Sequence, residues 1–139
     1  MMQQTKRSIQ WITDNRIFFL PKRKKYAGIH LIADFWDGKA IESEKELEIL
    51  LENTVKAANA TSLKNVVYKF EPQGITGVIL LAESHISIHT WPELKYAAID
   101  IFTCGDKTRP DKALEFLKKE LEPKKVIIKK IKRGGLSLR

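Results

Sequence analysis

The residues whose types and spacing suggest chemistry lie between positions 83 and 93, in the run Glu-Ser-His-Ile-Ser-Ile-His-Thr-Trp-Pro-Glu. This run holds two of the three histidines of the chain, and Ser84 alone separates Glu83 from His85. Carboxylate, hydroxyl and imidazole groups this close together could act as acid, nucleophile and base. They could also simply form the polar face of a strand, because His85, Ser87 and His89 share one face of an extended chain.

Two familiar site types fit this run poorly. A zinc site would combine His85 and His89 with Cys104, but zinc asks for three or four ligands at characteristic spacings, and neither Cys-x-x-Cys nor His-Glu-x-x-His occurs. A Ser-His-acid hydrolase would carry Ser84 on a Gly-x-Ser-x-Gly elbow, which is also missing. The spacing therefore predicts no metal site and leaves catalysis and a solvent-facing strand both open.

The elements that must position this run alternate along the chain. Apolar and β-branched runs predict strands, while Ser43 and Glu46 form a capping-box pattern and Pro110 suits a first helical turn. The predicted strands are 26–36, 62–70, 77–84, 85–91, 95–104 and 124–132, and the predicted helices are 43–60 and 109–121.

The order β-α-β-β-β-β-α-β predicts an α+β fold. Two helices are too few to cover both faces of such a sheet, so we expect a two-layer α/β sandwich with a mostly antiparallel sheet and both helices on one face. The other face then needs a partner, most simply a second copy, which predicts a dimer.

Composition sets the broad class. A chain of 139 residues with 43% apolar and 30% charged residues is typical of one globular domain. No apolar run reaches the roughly 18 residues of a membrane span. The start of the chain is polar and lacks the pattern of a secretory signal. The single cysteine, Cys104, excludes an internal disulfide and favours the cytoplasm.

The net charge of +8 is concentrated at the two ends of the chain. Residues 1–25 carry seven Lys/Arg against one Asp, and residues 118–139 carry nine against two Glu. The stretch between them carries nine Lys/Arg against fourteen Asp/Glu. A nucleic-acid binder would place a basic stripe on its folded face. The acidic centre instead suits a cationic small molecule and argues against a nucleic-acid partner.

Three segments in order, "GIHLIADF", "FEPQGITGVILLAESHISIHTWPE" and "YAAIDIFTCG", resemble the small pyruvoyl-dependent S-adenosylmethionine decarboxylases of bacteria and archaea. The resemblance covers roughly residues 27–133. It implies a domain over 27–139 preceded by an N-terminal extension, 1–26, whose apolar residues could dock on the body. Those residues are Trp11, Ile17, Phe18, Phe19 and Leu20.

The resemblance implies that the chain cleaves itself between Glu83 and Ser84, giving a β chain, 1–83, and an α chain, 84–139. Ser84 becomes a pyruvoyl group, which then forms a Schiff base with the substrate amine. His89 matches the proton acceptor of processing, and Cys104 matches the proton donor of catalysis. Thr76 stands where the family often has a serine that supports processing. Without the resemblance, Cys104 would be a small buried hydrophobe and Thr76 an ordinary turn residue.

The substrate implied is S-adenosylmethionine, whose decarboxylated product donates aminopropyl groups for spermidine. Phe70, Trp91 and Glu93 are the candidate binding residues, as aromatic faces and a ribose acceptor, although either aromatic could instead pack in the core. Asp34 is a further acidic candidate, and the family site lies between two protomers.

Two other functions stay open from the sequence. Some archaeal relatives share the self-cleaving core but decarboxylate arginine, and "FEPQG" before the core favours the adenosyl substrate. A catalytically silent binding protein with basic tails is the alternative from another class.

Overall fold

The structure is a computed structural model that describes the backbone of residues 10–13 and 16–19 and the whole of residues 26–135. The first two ranges form an antiparallel pair, β1 (Gln10–Thr13) and β2 (Arg16–Phe19), which the sequence analysis did not predict. The docking proposed for the apolar side chains of the extension falls outside the described residues. No helix in the described ranges is long and apolar enough to cross a membrane.

A six-stranded antiparallel sheet forms the body of the domain. Its strands lie in the order β4-β5-β6-β7-β3-β8, and every neighbouring pair is antiparallel. They are β3 (Gly28–Trp36), β4 (Ser62–Lys69), β5 (Ile75–Leu81), β6 (Ser84–Trp91), β7 (Tyr96–Cys104) and β8 (Lys125–Arg133). The predicted element order and the antiparallel sheet are confirmed.

Both helices begin as the sequence predicted. In α1 (Glu44–Ala57), the Ser43 hydroxyl accepts from the Glu46 N–H at 3.1 Å, and Glu46 Oε2 accepts in turn from the Glu42 N–H at 3.0 Å. In α2 (Pro110–Leu121), Pro110 occupies the first turn, where a missing N–H costs no helical hydrogen bond.

The helices cover one face of the sheet and build the core there. Helix α1 packs on β4 and β5, while α2 packs on β7 and β3. The apolar residues of this face are fully buried, among them Leu31, Ile79, Ile86, Ile88, Ile99 and Ile101 from the sheet and Leu47, Leu51 and Leu117 from the helices. The predicted two-layer architecture is confirmed.

The opposite side of the sheet, which we call the open face, carries the side chains that alternate with the core residues. It includes His85, Ser87 and His89 on β6, with Phe102 and His30 in register beside His85. It also carries large apolar residues that are 39–62% exposed: Val66, Tyr68, Val78, Leu80, Trp91, Ile127 and Ile131. Within the described residues, neither helix shields this face.

Candidate active site

The bond between Glu83 and Ser84 lies in the tight turn that joins β5 to β6. The two strands pair up to Leu81 and Ser84, so only Ala82 and Glu83 form the turn. Ser84 has a φ of +142°, a region that residues with side chains rarely adopt. Such a conformation costs about 1–3 kcal/mol and persists only where the surroundings hold it. The predicted cleavage bond is therefore next to a strained residue.

The Glu83 carbonyl oxygen accepts two hydrogen bonds from Cys104. The Cys104 backbone N–H donates at 2.9 Å and its thiol donates at 3.0 Å. The Glu83 side chain is also fixed, because its Oε1 accepts from the Thr61 N–H at 2.8 Å. Two donors aimed at one carbonyl oxygen can stabilise negative charge on it when its carbon is attacked. Cys104 is exposed, so the alternative of a buried hydrophobe is wrong.

His89 and Thr76 form a second group, away from Ser84. The Thr76 hydroxyl lies 3.0 Å from His89 Nδ1, and the two residues face each other across β5 and β6. His89 is five residues along β6 from Ser84, which in a strand corresponds to roughly 17 Å. Within one chain the structure therefore separates the proposed proton acceptor from the residue it would act on.

The proposed substrate-binding residues lie at the His89 end of the sheet. The Trp91 ring is 6.1 Å from the His89 ring, centroid to centroid. Phe70 is 46% exposed and Trp91 is 39% exposed, so neither packs in the core of this chain. Glu93 is exposed on the short 3-10 helix that follows β6, Pro92–Leu94.

An aromatic stack beside Trp91 was not predicted from the sequence. Tyr96 stacks on Trp91 at 5.3 Å and on Trp36 at 4.5 Å, because the three residues are in register on neighbouring strands. The Tyr96 hydroxyl donates to Asp34, which places that candidate acid against a phenol. Burial, and then the hydrogen bond to Asp34, raise the pKa of Tyr96 to about 12. Alternation along β7 could have placed Tyr96 on the open face, but not beside Trp36.

A polar cluster at the Ser84 end of the open face was also not predicted from the sequence. His30 Nε2 lies 2.8 Å from Asp100 Oδ1, and the Ser87 hydroxyl donates to Asp100 Oδ2 at 3.5 Å. His85 lies beside His30, with the ring centroids 6.4 Å apart. No group of three His, Cys, Asp or Glu side chains in the described ranges is arranged to hold a metal ion.

Comparison with known proteins decides the family. A profile described as S-adenosylmethionine decarboxylase matches residues 29–134. The chain belongs to the S-adenosylmethionine decarboxylase family. The match spans most of the domain predicted over 27–139 and confirms the resemblance seen in the sequence.

Individual members of the S-adenosylmethionine decarboxylase family are similar over most of their length. The S-adenosylmethionine decarboxylase proenzyme of Methanococcus maripaludis is 46% identical over 112 residues, which cover 79% of this chain and 92% of the relative. That of Sulfurihydrogenibium sp. is 48% identical over 113 residues, 80% of this chain and 85% of the relative. The crystal structure of the adenosylmethionine decarboxylase from Aquifex aeolicus matches with a TM-score of 0.76 and 40% identity, covering 84% of this chain and 98% of that chain.

The residues at the turn fit the formation of a pyruvoyl group, although family membership does not by itself assign roles to them. Such a group forms from a serine whose hydroxyl can reach the preceding carbonyl. Here Ser84 begins a strand with a strained backbone, and Cys104 holds the Glu83 carbonyl oxygen. The roles of these residues, and of His89, stay predictions.

Proposed function

We propose that this protein is a self-processing S-adenosylmethionine decarboxylase that cleaves itself between Glu83 and Ser84 and acts through a pyruvoyl group made from Ser84. The observation that carries the proposal is the pair of Cys104 donors on the carbonyl oxygen of Glu83, next to the strained Ser84. The proenzyme names of the relatives support it.

The first step turns a peptide bond into an ester. The Ser84 hydroxyl oxygen attacks the Glu83 carbonyl carbon, and the carbonyl oxygen gains negative charge between the Cys104 N–H and thiol. The bond from Glu83 to the Ser84 nitrogen then breaks, and that nitrogen takes a proton. The reaction releases the strain at Ser84, because the residue is no longer held by a peptide bond on its amino side.

The second step breaks the chain. A base removes the α-proton of Ser84, the carbon–oxygen bond of the ester breaks, and Glu83 leaves as a carboxylate. The dehydroalanine left at residue 84 takes up water and loses ammonia, which produces the pyruvoyl group. We assign removal of this α-proton to His89, whose ring contacts the Thr76 hydroxyl.

After cleavage, Cys104 stands beside the new terminus. When formed, the pyruvoyl group supplies an electron sink for loss of carbon dioxide from a bound amine. The exposed thiol of Cys104 can return a proton to the substrate α-carbon, since it already lies 3.0 Å from the Glu83 oxygen. A reducing compartment such as the cytoplasm would keep this thiol reduced.

The complete site requires two copies of the chain. Ser84 and Cys104 lie at one end of β6 and β7, whereas His89, Thr76 and Trp91 lie toward the other end. A two-fold axis that lies between two facing open faces, perpendicular to the strands, would bring the Ser84 end of each copy to the His89 end of the other. The exposed apolar residues of that face suit burial against a second copy. We therefore assign the protein as a homodimer with two shared sites.

Subunit mixing tests this arrangement. A Ser84→Ala chain and a His89→Ala chain, co-expressed with different tags, form a heterodimer in which one site has both wild-type residues and the other has neither. The His89→Ala chain should be cleaved in the heterodimer but stay whole in its own homodimer. If the His89→Ala chain is never cleaved in the purified heterodimer, His89 acts within its own chain or not at all.

The substrate is tested on the processed protein. Intact-mass spectrometry of the wild type should give pieces 1–83 and 84–139, the second with a ketone in place of its amine. Carbon dioxide should then be released from carboxyl-labelled S-adenosylmethionine faster than from labelled arginine. The exposed aromatics Phe70 and Trp91 support the adenosyl substrate. Faster turnover of arginine would overturn the substrate, and an uncleaved, inactive chain would favour a binding protein.

A further inference from the structure

Self-cleavage requires a base in two steps, ester formation and removal of the Ser84 α-proton. The histidines that could act as this base lie at different places in the structure. The Ser84 hydroxyl oxygen lies 3.4 Å from His85 Nδ1. The other two histidines of the chain are engaged elsewhere, since His30 binds Asp100 and His89 contacts Thr76. In the described chain, His85 is therefore the imidazole that faces the attacking hydroxyl before cleavage.

The His85 ring is held in place by its neighbours on the open face. The Phe102 ring lies 5.9 Å from it at an interplanar angle of 66°, and the His30 ring lies 6.4 Å from it at 75°. His30 is itself fixed by the 2.8 Å contact with Asp100. These edge-to-face contacts restrict the ring, so that Nδ1 stays toward Ser84.

We propose that His85 is the proton acceptor of the ester-forming step, an inference that rests on the self-cleavage proposed above. His85 Nδ1 takes the hydroxyl proton as the Ser84 oxygen bonds to the Glu83 carbonyl carbon. It returns that proton to the Ser84 nitrogen as the carbon–nitrogen bond breaks. The imidazole ends neutral, and the net result is the transfer of one acyl group from nitrogen to oxygen and one proton from oxygen to nitrogen.

The geometry and the order of the steps agree with His85 acting in ester formation and His89 acting in removal of the α-proton. A separation of 3.4 Å is longer than a strong hydrogen bond, and such catalytic contacts commonly tighten only as the reaction proceeds. His85 follows Ser84 directly in the chain, so it is present at the attacking hydroxyl in each copy. His89 from a second copy is left with the later step, removal of the α-proton from the ester.

Hydroxylamine separates the two steps, because it cleaves esters and leaves ordinary peptide bonds intact. The chain has no Asn-Gly pair, the peptide sequence that hydroxylamine also attacks. Full-length His89→Ala should form the ester but not eliminate, so hydroxylamine should cut it and leave a hydroxamate on Glu83. Full-length His85→Asn, which keeps a polar amide but no base, should stay largely whole, with or without hydroxylamine, over the time in which the wild-type chain is cleaved. We expect ester formation to slow by about 10²–10⁴-fold, the usual contribution of general-base catalysis.

A matched variant separates proton transfer from packing. His30→Asn removes the neighbouring imidazole, which touches the His85 ring but not Ser84, and should slow ester formation far less than His85→Asn. His85→Ala leaves space for a free base, so added imidazole should restore hydroxylamine-sensitive cleavage. All variants should be compared as folded protein by circular dichroism.

Three outcomes would overturn the proposal: ester formation in His85→Asn at the wild-type rate, equal slowing by His30→Asn, or a folded His85→Ala chain that imidazole does not rescue. These results differ from a failure of the proposed function, in which the wild-type chain itself would form neither ester nor fragments. They also leave the family membership unchanged.

Discussion

Replacing Cys104 by alanine should separate self-cleavage from decarboxylation, because the residue contributes differently to each. In cleavage, the Glu83 carbonyl oxygen loses the thiol donor at 3.0 Å but keeps the Cys104 backbone N–H at 2.9 Å. Removing one donor from an oxyanion hole typically costs about 10²–10³-fold in rate. A thiol is a weak donor, so we expect slowing toward or below the lower end of that range.

In decarboxylation, the same substitution removes the acid that returns a proton to the substrate. General-acid catalysis contributes about 10²–10⁴-fold, and no alternative acid in the described chain contacts the Glu83 oxygen. The Cys104→Ala protein should therefore be cut slowly but completely, and each cut chain should turn over far more slowly than the wild type.

The assay follows both rates on one preparation. Intact-mass spectrometry gives the fraction of cut chains over time, and release of labelled carbon dioxide is then expressed per cut chain. Cys104→Ser is the matched control, because its hydroxyl keeps a donor near Glu83 but is a much weaker acid than a thiol. It should be cleaved at nearly the wild-type rate and remain slow in decarboxylation. A Cys104→Ala protein that is fully active per cut chain would refute the proton-donor role.

Three further results are expected. In ultraviolet titration the Tyr96 phenol should ionise near pH 12, and Asp34→Asn should lower its pKa, whereas ordinary titration of all tyrosines would contradict the burial of Tyr96. Because folding raises the pKa of Tyr96, its stabilising contribution is present below pH about 10 and is lost as the pH rises through about 12. Gly77→Ala should reduce the free energy of unfolding by roughly 1–3 kcal/mol in urea titrations, because its new Cβ would lie 2.7 Å from a methyl group of buried Leu51. Unchanged stability would mean that helix α1, which carries Leu51, shifts freely. Deleting residues 1–26, the proposed extension, should leave cleavage and turnover unchanged, and loss of cleavage would show that they belong to the fold.

Local patterns were sufficient for the six-stranded sheet and the two helices, although not for the β1–β2 pair. Alternating apolar residues predicted the strands, and the capping residues Ser43 and Glu46 predicted where α1 begins. Because two helices are too few to cover both faces of the sheet, the sequence also predicted that both helices lie on one face. These features depend on near neighbours in the chain, so a sequence contains the information directly. The motif around Glu83 and Ser84 was also sufficient to indicate the family.

The contacts between distant residues required the tertiary structure. Cys104 lies 21 residues beyond Glu83 but reaches its carbonyl because β6 pairs with β7 from Ser84 opposite Thr103. His30 meets Asp100 across 70 residues because β3 inserts between β7 and β8.

The same strand pairing also set apart residues that the motif places together. Within eleven consecutive residues, the motif indicated Ser84 and His89 as partners in processing, whereas an extended strand holds them roughly 17 Å apart within one chain. Alternation tells which face a side chain occupies. Only the register and order of strands, fixed by the packing of the whole sheet, decide which side chains from other strands stand beside it.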